Sequence, residues 1–202
     1  DAFEQVSARA GWVLFGNKLY WTKTEGASWT DITPAASIQA VDFLDVSRGW
    51  TVASVTNGYS LASTTDGGRA WQTRALRLPA LRNTDAPIAK VFINWRTESH
   101  GWLVFKFATG INFSRGMLFV TFDGGETWTE REIPLGESVT FTDENNGWVS
   151  GGPTGNEFFV TRDGGRSWES DSESRGPLEV QSEAGWRLKE SGECAGGVCV
   201  QE

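Results

Sequence analysis

The side chains able to do acid–base or covalent chemistry are unevenly supplied. There are 26 Asp and Glu residues, but a single histidine (His100), two tyrosines and two cysteines. General acid–base catalysis needs a base poised near neutrality and held against a nucleophile or a second carboxylate. No Ser–His or Cys–His pairing presents itself. Asp42, Asp45, Asp143 and Glu144 are carboxylates in plenty without forming a constellation. Glycoside hydrolysis requires two apposed carboxylates. Asp42, Thr140 and Glu179 recur near the first strand of their repeats, where they read as solvated strand ends able to line a channel. Cys194 and Cys199 flank Ala195-Gly196-Gly197, a connection supple enough to fold back and bring the two into disulfide range. A short disulfide-closed hairpin, two free thiols, and a metal or redox site all remain readings of that pair. Two cysteines alone do not make a structural zinc site, and His100 is remote from them. On these grounds no catalytic residue, no metal site and no cofactor is expected.

The elements that would position such groups follow from a repeat. Gly-Trp recurs as Gly11-Trp12, Gly49-Trp50, Gly101-Trp102, Gly147-Trp148 and Gly185-Trp186. Between these pairs lies an octad: Thr64-Thr65-Asp66-Gly67-Gly68-Arg69-Ala70-Trp71, then Thr121 to Trp128 around Asp123, then Thr161 to Trp168 around Asp163. A worn copy, Thr22-Lys23-Thr24-Glu25-Gly26-Ala27-Ser28-Trp29, puts Thr24 in the Asp place and Glu25 in the first Gly place. Asp-Gly-Gly is a hairpin signal, because tight turns demand positive φ and the Asp carboxylate accepts backbone N–H bonds within the turn. Asp66, Asp123 and Asp163 therefore read as turn residues on the blade periphery, and Trp71, Trp128 and Trp168 as core between sheets. In the second unit strands are expected at Ile38–Leu44, Gly49–Val55, Tyr59–Thr64 and Ala70–Ala75. Four strands in a unit of roughly 40 residues make one propeller blade.

The fold class is therefore all-β: one β-propeller domain of about five four-stranded blades, with repeats near 1–34, 35–78, 85–133, 134–174 and 175–202. The fifth repeat holds material for three strands, so either the ring closes on a short last blade or the chain is part of a longer propeller. The 11 Trp and 24 Gly fit short strands and tight turns. No apolar stretch is long enough to span a membrane. The net charge of −8, with the acidic excess in the second half, argues against a nucleic-acid partner.

Two places break the period. The third unit carries extra residues near Arg74–Lys90 and near Phe107–Gly116, and additions to a regular scaffold are where function tends to sit. From Arg69 to Arg96 the chain carries Arg69, Arg74, Arg77, Arg82, Lys90 and Arg96 against Asp85 alone. Arginines interleaved with Leu76, Leu78 and Leu81 suit protein recognition, and an ordinary solvated loop is the alternative reading of the same segment. Arg74, Arg77, Arg82 and Arg96 are the candidate partner-binding residues, with Phe107 and Phe113 of the second insertion extending the same surface.

The boxes, together with the run from Phe43 to Trp71 and from Phe141 to Trp168, resemble those of the aspartate-box (BNR-like) propellers, which include sialidases, sortilin-type receptors and xyloglucanases. They resemble above all the propellers named for the photosystem II assembly and stability factor. That resemblance implies a non-catalytic, extracytoplasmic interaction scaffold, an accessory to a membrane or cell-surface complex, whose partner is another protein. The alternative it leaves is a carbohydrate-binding or glycoside-hydrolase-type propeller, with a glycan as partner. A sialidase is not implied: Tyr20 and Tyr59 fall in strand positions, and the Phe/Tyr-Arg-Ile-Pro segment is absent. The arginine patch of the photosynthetic factors has no local motif here onto which it can be carried.

Overall fold

A computed structural model describes residues 2–82, 86–110 and 113–171, together with the short strands 187–188 and 200–201. It contains four four-stranded antiparallel meanders. The first comprises β1 (Ala2–Gln5), β2 (Gly11–Phe15), β3 (Lys18–Thr22) and β4 (Thr30–Asp31); the second, β5 (Ile38–Phe43), β6 (Gly49–Val55), β7 (Gly58–Thr64) and β8 (Gln72–Leu76). After a single helical turn, α1 (Pro79–Arg82), come β9 (Ile88–Trp95), β10 (Gly101–Phe107), β11 (Gly116–Thr121) and β12 (Thr129–Arg131). The fourth sheet is β13 (Val139–Phe141), β14 (Gly147–Gly151), β15 (Glu157–Thr161) and β16 (Glu169–Ser170). In the fifth repeat β17 (Arg187–Leu188) pairs with β18 (Val200–Gln201). Each sheet is a propeller blade, in the order expected. Cys194, Cys199 and Glu179 lie outside the described residues.

Three hydrophobic clusters account for the core, and each lies between successive blades. Trp12, Leu19, Trp21 and Ile32 meet Ile38 and Phe43; Trp50, Val52 and Leu61 meet Ile93 and Trp95; Trp102, Val104 and Leu118 meet Val139 and Phe141. This explains the burial of the middle strands. Most of β6 and β10 is buried on both faces, because a blade in the array is covered on both sides. The outermost strands β4 and β16 are exposed throughout.

One aromatic contact recurs at all three seams between the four-stranded sheets of the described residues. The last residue of the first strand (Phe43, Trp95, Phe141) lies against an aromatic ring of the preceding blade. Trp50 and Trp95 stack at 4.2 Å with planes 13° apart, Trp21 and Phe43 sit at 4.6 Å, and Trp102 and Phe141 meet edge-on at 4.9 Å. The blade's own box tryptophan closes over the same ring, at 6.1 Å for Phe43–Trp71 and Trp95–Trp128 and 6.5 Å for Phe141–Trp168. The glycine of Gly-Trp is needed because this ring lies on it. A Cβ at Gly49, Gly101 or Gly147 would stand 2.4, 2.5 or 2.7 Å from Phe43, Trp95 or Phe141.

The boxes tie each blade both internally and backward. Thr64, Thr121 and Thr161 accept the N–H of the second box glycine at 2.9, 2.8 and 2.8 Å. Asp66, Asp123 and Asp163 accept the N–H of Ala70, Thr127 and Ser167 at 3.0, 2.9 and 2.9 Å. Hydrogen bonds from the Thr127 side chain and backbone hold the Asp123 carboxyl down to about 2. The first glycine donates to the loop between the first two strands, Gly67 to Ser47 and Gly164 to Asn145, both at 2.8 Å. The indoles of Trp71 and Trp168 donate to Ile32 and Glu132 of the preceding blade, each at 2.9 Å. In the worn first copy Thr24 substitutes for Asp, its hydroxyl accepting the Ser28 N–H at 2.9 Å. Glu25 there takes the left-handed φ of 57° that glycine supplies elsewhere.

His100 is 3% exposed and stacks on Phe122 at 4.6 Å, with neither ring nitrogen hydrogen-bonded. Burial lowers its pKa, so it is a neutral core residue. Two stability changes follow from the seams. Trp95→Ala is expected to cost about 3–5 kcal/mol in chemical denaturation. Glu25→Gly is expected to stabilise by about 0.5–1 kcal/mol, despite losing the exposed Arg9 pair, by relieving the left-handed backbone.

Candidate functional site

The two insertions of the third blade meet. Connections between first and second strands, and the boxes, occupy one end of the array. The opposite end carries the turns between second and third strands and the passages from blade to blade. Both insertions depart at this second end, where the β9–β10 ladder shifts register between Lys106 and Phe107. The N–H of Ala108 donates to Pro87 O at 2.8 Å and joins them. Leu76 and Leu78 are buried and Arg77 between them is exposed, as strand alternation requires. Phe113 stands out with 68% of its surface exposed, its N–H bonded to Gly110 O at 3.1 Å. Ser114 donates to Glu137 at 2.9 Å, and Lys106 pairs with the same carboxylate, anchoring the second insertion to the passage into the fourth blade.

Other candidate residues are spent elsewhere. Arg74 reaches the third blade's box, pairing with Glu126 and donating to Gly124 O. Arg96 donates from Nε to Thr142 O at 2.7 Å, across the seam to the fourth blade. Both are staples between blades. Phe107 is 6% exposed and belongs to the core. Arg82 ends α1. The basic segment is therefore divided: Arg74 and Arg96 act at the box end, Arg77 at the end of the insertions, and Lys90 on an innermost strand. The spacing of charges along the chain carried no information about which end of a strand each would occupy.

The first strands converge on the axis, with β5 and β9 packed side by side. They wall a cavity of about 300 Å³. Glu4 of β1, Asp42 of β5, and Lys90 and Asn94 of β9 line it, with Ser138 from the passage into β13. Asp42 Oδ2 accepts the Trp95 N–H at 2.6 Å, and Glu4 Oε2 accepts the Trp12 indole N–H at 3.1 Å. Burial, reinforced by the nearby Glu4 charge, pushes the Asp42 carboxyl up to about 7 against that hydrogen bond. Glu4 lines the cavity yet is exposed to solvent; partial desolvation raises its carboxyl against the Trp12 hydrogen bond. From the sequence Asp42 read first as a solvated strand end and only second as a residue able to line a channel. Glu4 was missed, although the signal existed: Glu4, Asp42, Asn94 and Thr140 all pair across the ladder with a Gly-Trp tryptophan.

No family model matches the chain. It is 28% identical over 144 residues to the photosystem II assembly lipoprotein Ycf48 of Synechococcus sp. (strain CC9902), a match taking in 69% of this chain and 38% of that protein. The chain thus spans well under half the length of the curated relative it matches. A structure of YCF48 bound to D1 peptide superposes with a TM-score of 0.51 at 18% identity, over 85% of this chain and 53% of that one. The GH74 enzyme of Niastella koreensis superposes with a TM-score of 0.53 at 12% identity, over 83% of this chain and 29% of the enzyme. The chain is an aspartate-box β-propeller similar to Ycf48.

The strained carboxyl of the cavity gives a pH signature. Asp42 is ionised above about 4 when unfolded but only above about 7 when folded. Its contribution to stability is therefore fully present in acid and is lost as pH rises from 4 to 7. Asp42→Asn, which keeps an acceptor for the Trp95 N–H, is expected to raise stability by about 1–2 kcal/mol at pH 8 and to leave it unchanged near pH 4. Denaturant titrations at the two pH values measure the difference.

Proposed function

We propose that the chain is a non-catalytic, extracytoplasmic scaffold that holds a polypeptide of a membrane or cell-surface complex during assembly. The observation that carries this reading is the joining of the two insertions, which adds an exposed Arg77 and Phe113 to an end of the propeller that blade packing leaves free. An exposed arginine and an exposed aromatic are residue types enriched at binding hot spots. Likeness to a photosystem II assembly lipoprotein supports both the assembly role and the extracytoplasmic setting. The solved relative bound to D1 peptide supports a peptide segment as the class of ligand.

A second reading has one observation in its favour. Two carboxylates, Glu4 and Asp42, share the central cavity, and Asp42 stays protonated to about 7, as a general acid would. A pair of carboxylates, one of them protonated, is what glycoside hydrolysis requires. Release of nitrophenol from aryl glycosides, abolished by Asp42→Asn, would select it over the scaffold.

For the scaffold, bait carrying Arg77→Ala and Phe113→Ser is expected to retain at least about tenfold less of each partner that the wild type captures by cross-linking from a membrane fraction. The melting temperature should not change, because both side chains are exposed. Equal capture by the two baits would remove the insertions from the binding surface. Arg74→Ala is expected to act differently, lowering the melting temperature by loosening the second blade from the third.

A further inference from the structure

The central cavity has a charge balance that its own walls do not meet. Glu4 and Asp42 face it from adjacent blades, and among the described residues neither forms an ion pair with a lysine or arginine. Lys90 is the one basic residue in the lining; its ammonium lies 4.7 Å above the ring of Phe92, another lining residue, and it forms no ion pair with either carboxylate. Each carboxylate has one oxygen fixed by an N–H donor, from Trp95 and from Trp12. That leaves the other oxygen of each for a guest. The remaining wall is apolar and amide: Phe3, Leu14 and Val41 beside Gln39 and Asn94.

A two-carboxylate set is thin for a metal ion, which takes most or all of its ligands from oxygen or nitrogen donors. Alkyl-lined walls around a charged end instead suit a long basic side chain, whose methylenes lie on apolar surface while its head meets the carboxylates. The volume of about 300 Å³ admits one such side chain together with its backbone. We propose that the axial cavity is a binding site for one lysine or arginine side chain of the polypeptide that the propeller holds. The inference rests on the scaffold reading for the identity of its guest and on the cavity alone for the chemistry. It also assigns the cost of keeping Glu4 and Asp42 together: they repel in the empty cavity, and a guest cation relieves the repulsion.

The titratable and charged groups facing the site are Glu4 from β1, Asp42 from β5 and Lys90 from β9; the fourth blade contributes the neutral Ser138. A guest ammonium or guanidinium keeps its charge throughout the working range, so pH acts through the carboxylates. Protonation of Asp42 as pH falls through about 7 removes half of the attraction, and protonation of Glu4 at lower pH removes the rest. Affinity therefore falls with falling pH.

Pentalysine is the probe, titrated into the purified chain with calorimetry and with the Trp12 indole N–H resonance as a local reporter, assigned by Trp12→Phe. At pH 8 the resonance is expected to shift on binding, since its acceptor is Glu4. Asp42→Asn and Glu4→Gln should each weaken binding about tenfold, and lowering the pH to 5.5 should do the same. Glu130→Gln removes the same charge from the exposed strand β12, away from the cavity, and should change affinity less than twofold. An equal loss with Glu130→Gln, a Trp12 resonance that stays in place, or displacement of the peptide by micromolar calcium would each overturn the proposal. The titration needs no natural partner. A chain that takes pentalysine in the cavity but captures no polypeptide through Arg77 and Phe113 would uphold this site and defeat the scaffold reading, and the converse result would do the reverse.

Discussion

The aromatic ring that closes each first strand must sit on a glycine of its own blade and against a ring of the blade before it. Phe43, Trp95 and Phe141 each meet both demands at once. Much else in the array is arranged around that contact. The Gly-Trp glycine is fixed because a Cβ would occupy the ring's place. The tryptophan beside it at Trp50 and Trp102 faces the next blade's ring, and the box tryptophan covers the ring from outside. The second box glycine belongs to the same joint: a Cβ on Gly68 would stand 2.6 Å from Ile32, and one on Gly125 2.8 Å from Leu61, both in the preceding blade. Two pairs of glycines and aromatics, far apart in each repeat, are thus one packing device.

Such a device couples nearest neighbours only, so the array behaves as a one-dimensional stack whose stability sums over seams. It also divides the molecule into unequal ends. At the box end the first-strand loops, the boxes and the staples from Arg48 to Glu98 and from Arg96 to Thr142 cross from blade to blade. Added residues there would pull a seam apart. The opposite end is bound by fewer such constraints, and both insertions of the third blade depart from it. Exposed apolar side chains occur at both ends, Phe15, Val55 and Phe113 at the freer one and Val46 and Phe122 at the box end.

The repeat made the blades legible because its residues are those that sterics fixes. The second strand of the second blade runs Gly49–Val55, as expected from the pattern, and the first ends one residue early, at Phe43. Site residues were harder to read for a physical reason. A charge run in the sequence mixes strands that end at opposite poles of the blade. Arg74 and Arg77 are neighbours in the chain, yet one staples a box and the other faces solvent beyond the last ladder pair. Phe107 and Phe113 differ likewise: the first still lies in the β9–β10 ladder opposite Ile88, the second in the loop beyond it. Composition marked the insertions, but only the register of the strands decides which of their side chains are free.

The position facing the axis obeys a different rule from the positions at the seams. Opposite the Gly-Trp tryptophans of the four described blades the first strand carries Glu4, Asp42, Asn94 and Thr140 in turn, two carboxylates, an amide and a hydroxyl. Seam residues are held to a few types because they must fill a fixed shape. An axial residue instead meets its counterparts on the other blades, an N–H donor such as that of Trp95 for Asp42 or Trp12 for Glu4, and whatever enters between them. Its identity is therefore constrained to a hydrogen-bond acceptor but not to a charge, and a costly charge there has to be balanced by something other than the fold. Two carboxylates side by side, one of them driven up to about 7 by burial, are such a choice. An amide of matching length, Asn at 42 or Gln at 4, would keep the N–H acceptor and remove the repulsion. The pair is explained by what the axis binds, because nothing in how the blades pack requires it.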